Sequence, residues 1–241
     1  MLWPSNRLRR ARRPDGDWRL VTEEGQTGQA ATVGLLLIFI ISSLAGMIDA
    51  IGLILSQNFV SFMTGNTTRL ATSFGEGDYG RIAVLATYLV TFVMGNAAGI
   101  VIVETTKRQW PCLLTVAALL SLSAILGPAV WALLPTVFAM GAINATMEQA
   151  AGYRLSLTYV TGALSRLGKG IGFFLMGQSR RGIWKETVPW FGMVSGAGVG
   201  TLLTVWLDSK ALWPPVLYCC LIAAATAALP SRWTMSFLNR S

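Results

Sequence analysis

Apolar residues in this chain come in long unbroken runs, with neither the alternation of a half-buried strand nor the three-to-four spacing of a soluble amphipathic helix. The runs cover residues 32–55, 82–103, 111–147, 188–207 and 212–229. About 20 such residues cross the hydrocarbon core of a bilayer as a helix, so each run is at least one transmembrane span. The run from 111 to 147 contains no charge. As one helix it would be about 55 Å long, nearly twice the hydrocarbon thickness. It therefore reads as two spans turning at Gly127-Pro128. The pattern predicts an all-α integral membrane protein of six spans: a basic tail over 1–31, membrane halves over 32–128 and 129–230, and a short tail over 231–241.

Of the 241 residues, 53% are apolar and 12% charged, against about 25% charged in a soluble domain. Six spans leave no room for a separate catalytic domain. The chain has no histidine, which removes Ser-His and Cys-His catalysis and the usual zinc and haem sites. Cys112, Cys219 and Cys220 have no metal or redox spacing and read as small core residues. No metal, cofactor or catalytic group is expected, and the phosphate loop of a nucleotide-driven pump is missing. Ser165 and Lys169 lie at helical spacing, too bare a match to carry nucleophilic chemistry. An enzyme is not expected.

The net charge of +8 is distributed by side. With the N-terminus inside, sixteen basic residues are cytoplasmic: six in the first 31 residues, Lys107, Arg108, six between Arg154 and Lys185, Arg232 and Arg240. Only Arg69, Arg81 and Lys210 are outside. That bias predicts both termini in the cytoplasm. Anionic lipid accounts for the charge, and no nucleic-acid partner is needed. The first run is too long for a secretory signal, and it also argues against a twin-arginine export signal in the basic tail.

Two halves of the chain echo each other. Gly46-Met47-Ile48-Asp49-Ala50 matches Gly141-Ala142-Ile143-Asn144-Ala145, and the stretch at 62–70 matches that at 159–167. Gly95-x3-Gly99 matches Gly196-x3-Gly200, and Trp110-Pro111 matches Trp213-Pro214. The offset grows from 95 to 103 in chain order, as small insertions would make it. Each half holds three spans, so the second must insert upside down relative to the first, the layout of many secondary transporters. The Gly-x3-Gly faces suit close helix packing, and they leave a homo-oligomer open.

After the first span of each half comes a segment too polar for a lipid-facing helix and too rich in Phe, Val and Met for a solvent loop. A re-entrant segment fits, broken at Thr64-Gly65 and Thr161-Gly162 and returning as a short helix from Asn66 or Ala163. Thr64 and Thr161 are the expected N-caps. The freed N–H groups and the positive helix ends would face a small polar or anionic solute between the halves. The alternative is that Thr-Gly only caps a helix wedged between spans.

The stretch Gly46–Ala50 followed by Phe59-Val60-Ser61-Phe62-Met63-Thr64-Gly65-Asn66-Thr67-Thr68 resembles the YoaK-like family of small bacterial inner-membrane proteins. The resemblance runs from about residue 35 to about 229. It implies a cytoplasmic-membrane protein of unknown function, with a permease in view, and brings no catalytic residues. The second copy has Ala163 where the first has Asn66, so a binding role for Asn66 need not be shared.

Asp49 is the one ionisable residue well inside a span; its counterpart is Asn144. A carboxylate there is costly unless paired, hydrated or protonated. Either it couples a proton or cation, or it is a packing residue paired with Arg69 or bonded to the broken backbone near Thr64. Arg69 and Arg166 match each other, with Asp49 and Glu148 as their expected partners, or else they meet a solute anion. The candidate solute site is thus Asp49, Thr64, Gly65, Asn66, Arg69, Asn144, Thr161, Gly162 and Arg166. Its function is a secondary transporter or permease, proton- or cation-coupled, in the bacterial inner membrane. The competing reading is a non-transporting membrane subunit with a packed six-helix bundle.

Overall fold

A computed structural model describes residues 9–12, 18–21, 24–150, 160–178 and 187–228, with side chains over 32–144, 161–178 and 187–228. Ahead of the helical body, β1 (Arg9–Arg12) and β2 (Trp18–Val21) pair antiparallel, with Arg9 opposite Val21 and Arg12 opposite Trp18. The helices are α1 (Glu24–Ser56), α2 (Met63–Glu76), α3 (Tyr79–Thr106), α4 (Trp110–Leu126), α5 (Leu134–Ala150), α6 (Val160–Leu175), α7 (Val188–Leu207) and α8 (Trp213–Ala228). α1 begins eight residues before the apolar run, so its first two turns precede the lipid-compatible stretch.

Local chemistry sets the breaks. The long run ends α4 at Gly127, which takes the left-handed φ of +92°, and Pro128 cannot continue the helix. One turn of 3-10 helix (Val130–Leu133) then leads into α5. The α5 N-terminus borrows its cap from α4: the Thr136 N–H donates to Ser123 Oγ at 3.1 Å, buried between the two helices. Gly77, at φ +68°, closes α2, and the Asp78 carboxylate caps α3 by accepting the Arg81 N–H at 2.9 Å. Prolines open α4 and α7, where a missing N–H costs nothing.

Among the described residues, three stretches are long and apolar enough to cross a bilayer: Thr32–Ser56, Tyr79–Thr106 and Val188–Lys210. Three further apolar helices are shorter, Trp110–Leu126, Val130–Asn144 and Trp213–Ala228. At 1.5 Å per residue the shorter ones reach about 25 Å, a little under the hydrocarbon thickness. The molecule is a helical membrane protein.

Two helix pairs dominate the packing, α1 on α7 and α3 on α5, with α4 against α8 and α5. Glycine makes both crossings possible. On α7, a Cβ added at Gly192, Gly196 or Gly200 would fall 2.7, 1.9 and 2.4 Å from the carbonyl oxygens of Phe39, Ser43 and Met47 of α1. The three partners advance in step with the three glycines, so α1 and α7 run parallel. From the α1 side, a Cβ at Gly46 would fall 2.1 Å from the Met193 oxygen. The second crossing repeats this: Gly95 meets the Phe138 oxygen and Gly141 the Phe92 oxygen, at 2.1 and 2.2 Å. No larger residue fits where backbone meets backbone, which is how lipid-embedded helices gain contact without a hydrophobic driving force. Gly198, between two of these glycines, faces open space.

The buried apolar layer runs through Ile41, Leu44, Ile48 and Ile51 of α1, Leu113 and Leu120 of α4, and Met140 and Ile143 of α5. Cys112 and Cys219 pack within it, their thiols directed at the Ala142 and Leu113 carbonyls. Two hydroxyl contacts tie the bundle across long sequence distances: Tyr88 donates to the Val130 carbonyl at 2.7 Å, and Ser43 and Tyr218 lie 3.3 Å apart.

Candidate functional site: the elbow between α1 and α2

The chain leaves α1 at Gln57, at a left-handed φ of +59°, and enters α2 at Met63. The six-residue elbow between them is held by side chains from both helices. Asp49, two turns back along α1 and 6% exposed, reaches over it. Its Oδ1 accepts the Val60 N–H at 2.9 Å and the Ser61 N–H at 2.8 Å. From α2, Asn66 Nδ2 donates to the Phe59 carbonyl at 2.7 Å. Phe59 C=O and Val60 N–H belong to one trans peptide unit and point opposite ways. That peptide is therefore clamped between a carboxylate on α1 and an amide on α2.

Smaller contacts complete the elbow. Asn58 Nδ2 donates to the Ser56 carbonyl at 2.8 Å, and Arg69 Nη1 donates to the Gln57 carbonyl. A cation there suits the carbonyl-rich end of α1. A Cβ at Gly52 would fall 2.6 Å from Val60 Cγ1, so that glycine lets the elbow fold back onto α1. Gly65 lies under the Phe59 and Phe62 rings, which meet edge to face at 5.1 Å. Asn66 is fully buried, and its Oδ1 has no hydrogen-bond partner.

This geometry corrects several expectations. Thr64 is not an N-cap: Phe62 holds that position with no side-chain bond, and Thr64 is exposed in the first turn of α2. The helix starts at Met63, not Asn66, and the break is the elbow 57–62, not Thr64-Gly65. α6 likewise begins at Val160, so Thr161 is inside it and the helix does not start at Ala163. Asp49 and Arg69 do not pair; each bonds to elbow backbone, because the backbone presents its donors to α1 and its carbonyl to α2. In the first half the N–H expected to open at Asn66 donates to the Phe62 carbonyl, and the N–H groups that the break does free, those of Val60 and Ser61, are taken up by the chain's own carboxylate.

Asp49, Asn66 and Arg69 are thus brought together, with Gly65 beneath the rings. In the second half, Asn144 is buried on α5, Gly162 and Arg166 are half-buried on α6, and Thr161 is exposed. The residues between α5 and α6, and the Glu148 side chain expected to meet Arg166, lie outside the described residues. α2 packs on α3 and α6 on α7. Sequence reasoning missed Phe59, Val60 and Ser61, which act through backbone atoms and carry no side-chain signal. It also missed Gly52, a glycine inside a span, which does signal a close approach.

The family described as protein of unknown function (DUF1275) matches residues 37–225. A UPF0700 transmembrane protein of Rhizobium meliloti (strain 1021) is 44% identical over 210 residues, covering 87% of this chain and 93% of the relative. No solved structure matches. The clamped elbow coincides with the Phe59–Thr68 run that carried the resemblance, and the chain belongs to the DUF1275 family, the uncharacterised YoaK-like membrane proteins.

Proposed function

We propose that the protein is a secondary permease for a small polar or anionic solute, built from two inverted three-span repeats in the bacterial inner membrane with both termini cytoplasmic. The observation that carries this reading is the exchange relation between the two glycine crossings. Adding the repeat offset of 95 turns Gly46 and Ser43 into Gly141 and Phe138; subtracting the offset of 101 turns Met193 and Gly196 into Phe92 and Gly95. The contacts Gly46–Met193 and Gly196–Ser43 become Gly141–Phe92 and Gly95–Phe138. A pseudo-twofold axis between the α1/α7 and α3/α5 pairs produces that pairing, and rocking one pair against the other is the movement such symmetry supports.

In this reading α2 enters only part-way along the bundle, and the solute site lies between its elbow and the start of α6. The buried Oδ1 of Asn66, without a hydrogen-bond partner, is the acceptor for a donor group of the solute. Protonating Asp49 would loosen its hold on Val60 and Ser61, which links the elbow to a proton or cation. No cofactor, catalysis or nucleic acid enters the mechanism.

A second reading, a membrane subunit without a solute path, is favoured by the tight apolar layer between α1, α4 and α5. Purified protein in liposomes decides between them. A permease gives pH-driven or cation-driven currents with some member of a panel of small acids and polyols, and Gly65→Val and Gly162→Val abolish them while folded yield stays. No current across the panel, with yield intact, overturns the permease reading.

A further inference from the structure

α6 carries three kinds of surface. At 100° per residue its positions sort into three sectors. One is buried and holds Ala163 and Gly170. The second is exposed and apolar: Leu164, Ile171, Phe174 and Leu175, the last two 74% and 79% exposed. The third is exposed and polar or small: Thr161, Ser165, Gly168 and Lys169. A helix in water would not keep four large apolar side chains on one flank. A helix across the lipid core would not turn Lys169 outward at mid-length. A helix with one flank on protein, one in acyl chains and one in water lies at the bilayer surface.

Charge selects the lipid. Between residues 149 and 185 the chain has six basic residues and no acidic one. α2, at the corresponding place in the first half, exposes Thr64, Thr67, Thr68 and Thr72, with no apolar flank comparable to that of α6 and no exposed lysine. We infer that α6 is an interfacial anchor, its apolar flank sunk among acyl chains and Lys169 on the headgroups of anionic phospholipid. The cytoplasmic side is taken from the six-span reading above; the lipid contact is not.

Nitroxides placed at Ile171→Cys, Phe174→Cys, Ser165→Cys and Gly168→Cys test it, with Thr68→Cys as the α2 control. The background is Cys220→Ala, since Cys112 and Cys219 are buried. The protein is held in nanodiscs of phosphatidylcholine alone or of an equimolar mixture with phosphatidylglycerol. Positions 171 and 174 are expected to be accessible to oxygen, and 165 and 168 to a water-soluble nickel complex. Phosphatidylglycerol should sink 171 and 174 deeper, leave 68 unmoved, and lose its effect in Lys169→Glu. Nickel access at all four positions, oxygen access at all four, or a lipid response unchanged in Lys169→Glu overturns the anchor. An impermeant thiol reagent on Ser165→Cys in right-side-out and inverted vesicles tests sidedness by itself. Labelling from outside would overturn the six-span topology and leave the flank pattern to be judged separately.

Discussion

The two helix pairs and the elbow tell opposite stories about the halves of this molecule. At the crossings the halves agree in kind: glycine against a backbone carbonyl, from both helices of each pair. At the elbow they part. The first half has Asp49, Asn66 and Thr67; the second has Asn144, Ala163 and Leu164 at the matching positions. Alanine cannot hold a carbonyl as Asn66 holds Phe59, and a neutral amide cannot bind two N–H groups as a carboxylate does. Backbone-to-backbone contact tolerates only glycine, so both copies keep it. An elbow can be held in more than one way, so the copies are free to specialise. The first half's elbow is clamped by side chains, and in the second half we read α6 as leaning on lipid.

Replacing a crossing glycine has the largest expected effect. Gly196→Leu and Gly46→Leu drive side chains into backbone within about 2 Å, and overpacking of that kind costs about 3 kcal/mol or more. Little folded protein should survive, by fluorescence-detected size-exclusion after mild heating. Gly198→Leu, facing open space, should melt like the parent. Equal behaviour of the 196 and 198 variants would break the comparison at its base.

Asp49→Asn comes next. It weakens two buried hydrogen bonds to a charged acceptor, for a loss of about 2–3 kcal/mol in detergent unfolding. The converse, Asn144→Asp, gains no such loss-sized effect if the second elbow is held differently. Matching losses at 49 and 144 would mean that the elbows are built alike. Transport sharpens the same pair: uptake driven by a pH gradient should vanish in Asp49→Asn, and unchanged uptake between pH 5 and 8 removes the carboxylate from coupling.

Asn66→Ala should cost about 1–2 kcal/mol, since it frees the Phe59 carbonyl of its buried donor. Arg69→Gln should be the smallest, under about 1 kcal/mol, because its bond to the Gln57 carbonyl is on the surface. If Arg69→Gln outranks Asn66→Ala in the same melts, the elbow is held from its rim and not from its buried peptide.

The sequence pointed to Asp49 for a sound reason, since a lone carboxylate in a span must be satisfied by something. It left two partners open, Arg69 and the broken backbone near Thr64, and the structure takes the second. The residues that satisfy Asp49 are eleven and twelve positions on, and which ones they are was not legible, because a backbone N–H looks the same at every position of a sequence. The same blindness misplaced the start of α2. Thr64-Gly65 reads as a cap followed by a break, but a carboxylate from α1 already fixes Val60 and Ser61, so the chain is helical by Met63 and the threonine turns outward.

Where lipid is the solvent, the amino-acid order settles which stretches are helices, because every backbone group there must be bonded within its own segment. It also settled where the long run breaks, since Gly127 and Pro128 impose their geometry locally. Which helix lies against which was decided only in three dimensions. In lipid all apolar faces are alike, and the choice of α7 for α1 and α5 for α3 falls to the few places where two glycine-bearing backbones can touch.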